Sequence, residues 1–344
     1  MRTRASGVLA LAAVLTAAPA LTAQDYDWRG DRPDGYAPIG VWNDFVLSEG
    51  QVQFGYRLGV DNLDGLKAGE FEVGILDVLD VFASTPISSQ TLTHVFSAAY
   101  SPVARVSLIA QVPIQMIDVD QLDRELFLYS SQSNSIGDIR VDALASVYQV
   151  GPYRAHASAG ISVPTGSIDA EGAQPGSTAD SRLPYTLQVG SGTLDLHPGL
   201  TFQAMNEHGS VGLQASGTVR MGENDQGYTL GNRVGVAGWA GFLVSDQVSI
   251  SARINYQQWQ SVSGSDATFD AARDAIENPL VFTELTGGSR LDLPIGMNIV
   301  LNEGPLAGHR IGVEWVLPIS QDLDGPQLQP NWGVNFGWQK VVGW

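Results

Sequence analysis

The sequence predicts an all-β protein, a transmembrane up-and-down antiparallel β-barrel of about 12 strands. Apolar and polar residues alternate with a period of two in many segments, as in strands with one apolar and one polar face. Many segments run for roughly nine to twelve residues, which is the length of a tilted strand crossing a bilayer and exceeds the usual strand of a soluble sandwich. The chain also ends on an aromatic residue, Trp344.

The alternation is clear in the first predicted strand, where Phe54, Tyr56 and Leu58 share one face and Gln53 and Arg57 the other. The same pattern predicts strands over 50–61, 91–101, 105–118, 137–150, 153–165, 193–205, 209–222, 230–244, 247–259, 289–302, 308–320 and 331–344. Lipid offers the backbone no hydrogen-bond partner, so such strands span a membrane only as a closed barrel. No stretch beyond the N-terminus is apolar enough for a transmembrane helix.

The connections between the predicted strands alternate in length. The short ones are 101–105, 151–153, 206–209, 245–247 and 302–308. The others are 62–90, 119–136, 166–192, 260–288 and 321–330, mostly long, with 223–229 as a short exception. Bacterial barrels place short turns in the periplasm and long loops outside, so both termini are expected in the periplasm.

Three regions divide the chain. Residues 1–23 have the layout of a secretory signal peptide: basic residues, a short apolar stretch and small residues, with cleavage after either Ala20 or Ala23. Residues 24–49 form a polar segment containing Trp28 and Trp42, which either is a periplasmic tail or folds into the barrel as a small plug; the tail is favoured. Residues 50–344 form the predicted barrel.

Composition excludes several functions. The chain has no cysteine, so neither a disulfide scaffold nor a cysteine-ligated metal site is available. Its formal net charge of -18 opposes nucleic-acid binding, which requires lysine and arginine to displace phosphate counterions. We predict no metal site, no cofactor and no nucleic-acid partner.

The polar faces of the predicted strands supply candidate lumen residues. If the apolar faces meet lipid, the charged and histidine residues that project inward are Arg57, Arg140, Asp142, His156, Asp195, His197, Arg220, Arg233, Arg253, Asp292, Arg310 and Glu314. Rings of charge in a pore determine which solutes pass. The alternative is that these charges pair with one another and plug a narrow barrel.

The C-terminal segment predicts how the barrel closes and assembles. Phe336, Trp338, Val342 and Trp344 share one face, and Lys340 interrupts this apolar row. Terminal aromatics of this kind resemble the signal read by the barrel-assembly machinery. The expected location is the bacterial outer membrane, with outer-membrane lipids and lipopolysaccharide as further partners.

Several short motifs carry a family resemblance. They are Gly137-Asp138-Ile139-Arg140, Val163-Pro164-Thr165-Gly166-Ser167, the stretch 183–196, Gly308-His309-Arg310 and the stretch 318–326. In this order the motifs resemble the outer-membrane transporters grouped with the meta-pathway phenol-degradation proteins. The resemblance implies a barrel for passive passage of small, often hydrophobic or aromatic, compounds across the outer membrane.

Two other functions stay open from the sequence. A non-transporting surface or structural barrel would use acidic loops for ligands or cations, and the candidate loop residues are Asp118, Asp120, Asp123 and Glu125 in one region and Asp266, Asp270, Asp274 and Glu277 in another, where a short helix is predicted. An outer-membrane lipid hydrolase would need a serine and a histidine on the outer face. His156 and Ser158 share a face, but the alternation turns that face inward, so we predict no enzyme and no catalytic residue.

Overall fold

The computed structural model describes residues 28–175 and 180–343; the predicted signal peptide, residues 24–27 and Trp344 lie outside them. The strands are β1 Val52–Gly69, β2 Phe71–Val73, β3 Ser84–Val103, β4 Val106–Asp123, β5 Leu128–Ile136, β6 Ile139–Val150, β7 Tyr153–Val163, β8 Glu171–Gly172, β9 Ser181–Arg182, β10 Leu194–Met205, β11 Gly209–Met221, β12 Tyr228–Thr229, β13 Arg233–Ser245, β14 Val248–Trp259, β15 Ser263–Gly264, β16 Gly288–Leu301 and β17 His309–Val342. The α-helices are α1 Ile75–Leu79 and α2 Asp270–Asp274. Short 3-10 turns cover Pro33–Gly35, Tyr185–Leu187, Ala267–Phe269, Pro279–Val281, Thr283–Leu285 and Gly304–Leu306.

Strands that follow one another along the chain pair antiparallel and close into a barrel. The wall is formed by β1, β3, β4, β6, β7, β10, β11, β13, β14, β16 and β17 in this order, and β17 returns to pair with β1. At the closure, Tyr56 lies opposite Trp338 and Leu58 opposite Phe336. The predicted up-and-down antiparallel barrel is therefore confirmed, with eleven continuous strands in the wall and with β2 and β5 as additional strands.

The longest strand explains why eleven strands replace the predicted count of about 12. The 34-residue strand β17 pairs with β16 through its first half and with β1 through its second half. Its two halves also contact each other, since Trp338 Nε1 donates to His309 Nδ1 at 2.9 Å and the rings of Trp315 and Trp332 lie 6.1 Å apart. The predicted segments 308–320 and 331–344 are thus two arms of one strand that folds back on itself.

Three strands extend far beyond their predicted ends. β1, β3 and β4 continue into the predicted loops 62–90 and 119–136, and β5 lies wholly within the second of these. The extensions pair with one another: Ser84 lies opposite Asp123, and residues 114–122 of β4 pair with β5. These stretches carry polar residues on both faces, so they lack the alternation that identifies a strand from sequence.

The long loops pack together through apolar clusters of their own. One cluster joins three loops and contains Tyr185, Tyr228, Val262, Phe269 and Val281. The predicted short helix in 260–288 is present as α2. No helix among the described residues is long and apolar enough to span a membrane.

Apolar side chains face outward from the barrel and polar ones face inward. Leu200 is 56 % exposed and Ile295 52 %, whereas Asp142 and Asp195 are fully buried and Glu314 is 1 % exposed. This inverts the arrangement of a water-soluble protein, in which charged residues are seldom fully buried. It is the arrangement of a barrel whose outer surface meets lipid.

The N-terminal segment lies inside the barrel over most of its described length. It enters at the end with the short turns, where Asn302 Nδ2 donates to Asp31 O at 2.7 Å. It leaves at the same end, where Gly50 N donates to Ser101 O at 2.9 Å. Between these points residues 32–47 are mostly buried. These contacts favour the plug over the periplasmic tail that the sequence suggested.

Candidate functional site

The twelve sequence-predicted lumen residues divide by their exposure. Nine are buried: Arg57, Asp142, His156, Asp195, His197, Arg253, Asp292, Arg310 and Glu314. The other three are more open: the Arg140 side chain retains 28 % exposure, Arg220 retains 11 %, and Arg233 is exposed to the interior cavity. Alternation alone does not reveal this division, because the exposure of an inward side chain depends on what fills the lumen beside it.

Charged wall residues hold the backbone of the N-terminal segment. Arg57 Nη1 donates to Val41 O at 2.8 Å, and Arg310 donates to Ala37 O and, at 3.3 Å, to Asp44 Oδ2. Unpaired backbone groups are costly to bury, and these contacts satisfy several of them inside the lumen.

A histidine and a glutamate complete this set. His156 Nε2 lies 2.8 Å from Asn43 O, and Gly40 N donates to Glu314 Oε2 at 2.5 Å. Together with Arg57 and Arg310, these side chains act as a lining for the segment rather than as an open ring of charge.

In the described part of the segment, residues 28–49, three of the four large aromatic residues lie under an arginine of the wall, and Phe45 is the fourth. The guanidinium carbon is 4.1 Å from the ring centre for Arg57 over Trp42, 4.6 Å for Arg310 over Tyr36 and 4.5 Å for Arg154 over Trp28. Such contacts contribute about 0.5–2 kcal/mol each, more where water is excluded. Trp28 and Trp42, which are conspicuous in the sequence, thus anchor the segment.

Ion pairs between wall residues form a second group. Arg253 pairs with Glu314, Arg140 with Asp142, Arg220 with Asp195 and Arg290 with Asp292. These contacts match the alternative in which the inward charges neutralise one another. A cavity on the loop side of the N-terminal segment remains open.

This cavity, which we call the chamber, has a volume of about 420 Å³. Its floor is the apex of the N-terminal segment, residues 40–43, and its walls include Gln214, Thr218, Arg233, Trp259 and Arg290. The volume lies in the range of about 300–1,000 Å³ typical of small-molecule sites. The lining is largely polar, in contrast to the apolar outer surface.

A smaller recess of about 140 Å³ lies under the long loops. It is lined mainly by apolar residues, among them Leu63, Ile117, Leu187, Leu280 and Leu328. The loop end of the barrel therefore offers an apolar recess as well as the polar chamber.

The hydrogen-bond partners of the His197 imidazole are two hydroxyl groups. Its Nε2 lies 2.9 Å from Ser162 Oγ and its Nδ1 3.2 Å from Thr218 Oγ1. A serine hydrolase would need an acid to orient the imidazole, and here a hydroxyl takes that place. His156, the histidine considered with Ser158 for a lipid hydrolase, binds the backbone of the N-terminal segment and is buried.

The acidic residues predicted for external loops are largely bound within the protein. Asp118, Asp120 and Asp123 belong to β4 rather than to a loop. Their carboxylates accept hydrogen bonds from Gln132, Ser130 and Tyr129. In the second region Asp266 pairs with Arg182, and Asp270 with Arg273. These acids are thus less available to an external cation than the sequence suggests.

Several lumen residues were absent from the sequence-based set. Arg154 and Arg290 share strand faces with His156 and Asp292, so the alternation did mark them. Asp61 also lines the chamber. Asn298 is different: its amide approaches Ala37 O at 3.4 Å and its role depends on the N-terminal segment being inside, which alternation does not reveal.

Comparison with known proteins identifies the fold. No protein-family profile matches the sequence, and no curated protein matches it. Among solved structures, an outer-membrane channel from Pseudomonas putida F1 is 11% identical, with a TM-score of 0.58 over 88% of this chain and 100% of that one. The β domain of the Bordetella autotransporter BrkA is 10% identical, with a TM-score of 0.43 over 86% and 100%. A Pseudomonas aeruginosa FadL homologue is 13% identical, with a TM-score of 0.41 over 92% and 98%.

The first of these similarities, together with the closed barrel and its apolar outer face, confirms the predicted fold and location. The chain has the fold of a bacterial outer-membrane β-barrel. At 11% identity this similarity establishes the fold alone. Proposals about the solute and the mechanism must therefore be argued from the geometry of the lumen.

Proposed function

We propose that this protein is an outer-membrane channel for the passive passage of small solutes, which enter the chamber from the loop side. The observation that carries the proposal is a polar chamber of about 420 Å³ inside a barrel whose other half is filled by the N-terminal segment. A purely structural barrel of this width has no need for a solute-sized cavity, because the same volume could be filled by side chains.

The N-terminal segment acts in this proposal as a removable floor. The segment is held by side-chain contacts from the wall, chiefly those of Arg57, Arg310 and Glu314, and its described residues 28–49 form no strand pairing with the barrel. A segment attached chiefly through side-chain contacts can shift without unfolding the wall. Passage would therefore require displacement of residues 40–43.

The solute class we propose is small and at least partly aromatic or apolar, as the family resemblance implies. The apolar recess under the loops supports this, since Leu187, Leu280 and Leu328 offer a first contact for an apolar group. Trp42 and Trp259 then present aromatic surface inside the chamber.

Solute flux tests this proposal. The mature protein is refolded into liposomes, and the entry of phenol and benzyl alcohol is compared with the entry of sucrose. Arg220→Ala and Arg253→Ala serve as lumen variants. Arg105→Gln, in an exposed turn, is the control. Selective flux that changes in the lumen variants and not in the control supports the channel. If liposomes that contain the folded barrel admit no solute, even when the contacts that hold residues 40–43 are weakened, the protein has a surface or structural role instead.

A further inference from the structure

The chamber wall formed by β11, β13 and β16 carries more positive than negative charge. Arg233 and Arg290 project from these strands into the chamber, and the charges acting on Arg233 are those of Arg220, Arg290 and Asp195. Asp195 forms an ion pair with Arg220, and Asp292 forms one with Arg290. Among these five side chains, three guanidinium groups thus share two carboxylates.

Arg233 is the one of these three arginines for which the described residues supply no carboxylate partner. Within residues 28–175 and 180–343, no carboxylate lies within ion-pair distance of it, and its side chain is open to the chamber. An arginine held between two others and facing a cavity with low-dielectric walls creates a positive potential there. This contrasts with the protein as a whole, whose net charge is -18.

An aromatic side chain stands beside this arginine. Arg233 of β13 lies directly opposite Trp259 of β14 in the strand register, and both line the chamber. Side chains opposite each other on neighbouring strands are about 4.5–5.5 Å apart at Cβ. The Trp259 indole is fixed by a hydrogen bond from Nε1 to Thr286 O at 2.9 Å, so it offers a defined ring surface.

We propose that the chamber binds small aromatic carboxylates, with the carboxylate on Arg233 and the ring against Trp259. A guanidinium matches a carboxylate with two parallel hydrogen bonds, which a neutral amide does not reproduce. The inference rests on the proposed channel function and narrows its solute class from aromatic compounds to aromatic anions.

The negative groups of the chamber set the limit on this selectivity. Asp61 lines the chamber from β1, within electrostatic range of Arg290 and Asp292. Asp61 repels an anion, so its removal is expected to strengthen binding. Substitutions of Arg233 and of Asp61 are therefore expected to change anion binding in the chamber in opposite directions.

The probes are benzoate, the neutral isostere benzamide, and acetate, which lacks the ring. Binding to the refolded full-length barrel in detergent is measured by titration calorimetry for the wild type, Arg233→Gln, Asp61→Asn and the exposed control Arg105→Gln. We expect benzoate to bind at least about tenfold more tightly than benzamide or acetate. Arg233→Gln should abolish the preference over benzamide, and Asp61→Asn should increase it.

Two outcomes overturn the inference: equal binding of benzoate and benzamide by the wild type, or an unchanged preference in Arg233→Gln when circular dichroism shows a folded barrel. Equal binding of benzoate and acetate overturns the assignment of Trp259. Liposome flux separates this result from the channel proposal. Charge-selective binding without flux rejects the channel and keeps the site, whereas flux without discrimination rejects the site and keeps the channel.

Discussion

Arg253 and Glu314 lie side by side in the lumen, joined by two contacts of 3.1 Å between Nε and Oε1 and between Nη2 and Oε2. Arg253 belongs to β14 and Glu314 to β17, so the pair reaches across β16. The same Glu314 carboxylate accepts the hydrogen bond from Gly40 N. One ion pair therefore joins two parts of the wall and fixes the apex of the N-terminal segment.

Removing the charge of Glu314 should destabilise the protein. Glu314→Gln keeps an acceptor for Gly40 N but leaves Arg253 buried without a counter-charge, at a cost of about 3 kcal/mol. Urea unfolding in lipid vesicles measures this cost. The double variant Arg253→Met/Glu314→Leu is the matched comparison, because replacing both partners of a buried pair with apolar residues is often neutral. A single variant as stable as the wild type would show that the pair does not hold the structure.

Gly40 provides a way to displace the floor without changing any charge. A Cβ added at Gly40 would overlap Glu314 Oε2 and Arg253 Nη2, whereas one added at Gly30 would meet no atom within 4 Å. Gly40→Ala should therefore raise the single-channel conductance in planar bilayers, while Gly30→Ala should leave it unchanged. Equal conductance in the two variants, both folded, would mean that residues 40–43 do not limit passage.

The wall of this barrel could be predicted from the sequence because lipid and lumen impose opposite preferences on alternate residues. Leu200 and Thr201, adjacent in β10, are 56 % and 2 % exposed, and the alternation of apolar and polar residues alone assigns them to opposite faces. The position of the N-terminal segment could not be predicted. Its contacts are made by isolated side chains such as His156 with Asn43 O, which leave no periodic pattern.

The motifs behind the family resemblance show a second limit. Asp138 Oδ1 accepts from Gly166 N at 2.9 Å, and its Oδ2 accepts from Ser191 N at 2.9 Å. Thr165 Oγ1 donates to Gly137 O at 2.8 Å. Three motifs far apart in the sequence therefore meet at one carboxylate. Their order could be read along the chain, but their contact depends on loop geometry that short glycine-rich motifs do not specify.

Leu200 and Leu306 test which surface meets lipid, since each is 56 % exposed. Leu200 lies within β10, whereas Leu306 lies in the short connection between β16 and β17. Leu200→Arg should destabilise the barrel in vesicles, lowering its free energy of unfolding by about 2–4 kcal/mol, as expected for a charge near the bilayer midplane. Leu306→Arg should have an effect near zero. Equal losses in the two variants would contradict the assignment of the outer face of β10 to lipid.

Asp266 makes the outer loops sensitive to acid. Burial alone would raise the pKa of Asp266, but hydrogen bonds from Thr268 and Arg182 outweigh burial and lower this pKa below its usual 3.8. A carboxyl group with a depressed folded-state pKa stabilises the fold above about pH 4, and this contribution is lost as pH falls through the lower folded value. The near-ultraviolet circular dichroism of Tyr185 and Tyr228, which pack together 4.9 Å apart, reports the loop cluster.

Replacing this carboxylate should remove the acid sensitivity. Asp266→Asn is expected to weaken the loop cluster by about 1 kcal/mol at neutral pH, because it removes the ion pair with Arg182 while keeping the acceptor for Thr268 N. The change in the tyrosine signal between pH 5 and pH 2 should then shrink. Asp274→Asn, at an exposed position of the same loop, is the control and should titrate like the wild type. A tyrosine signal that falls identically in all three proteins would assign the acid sensitivity to other carboxylates.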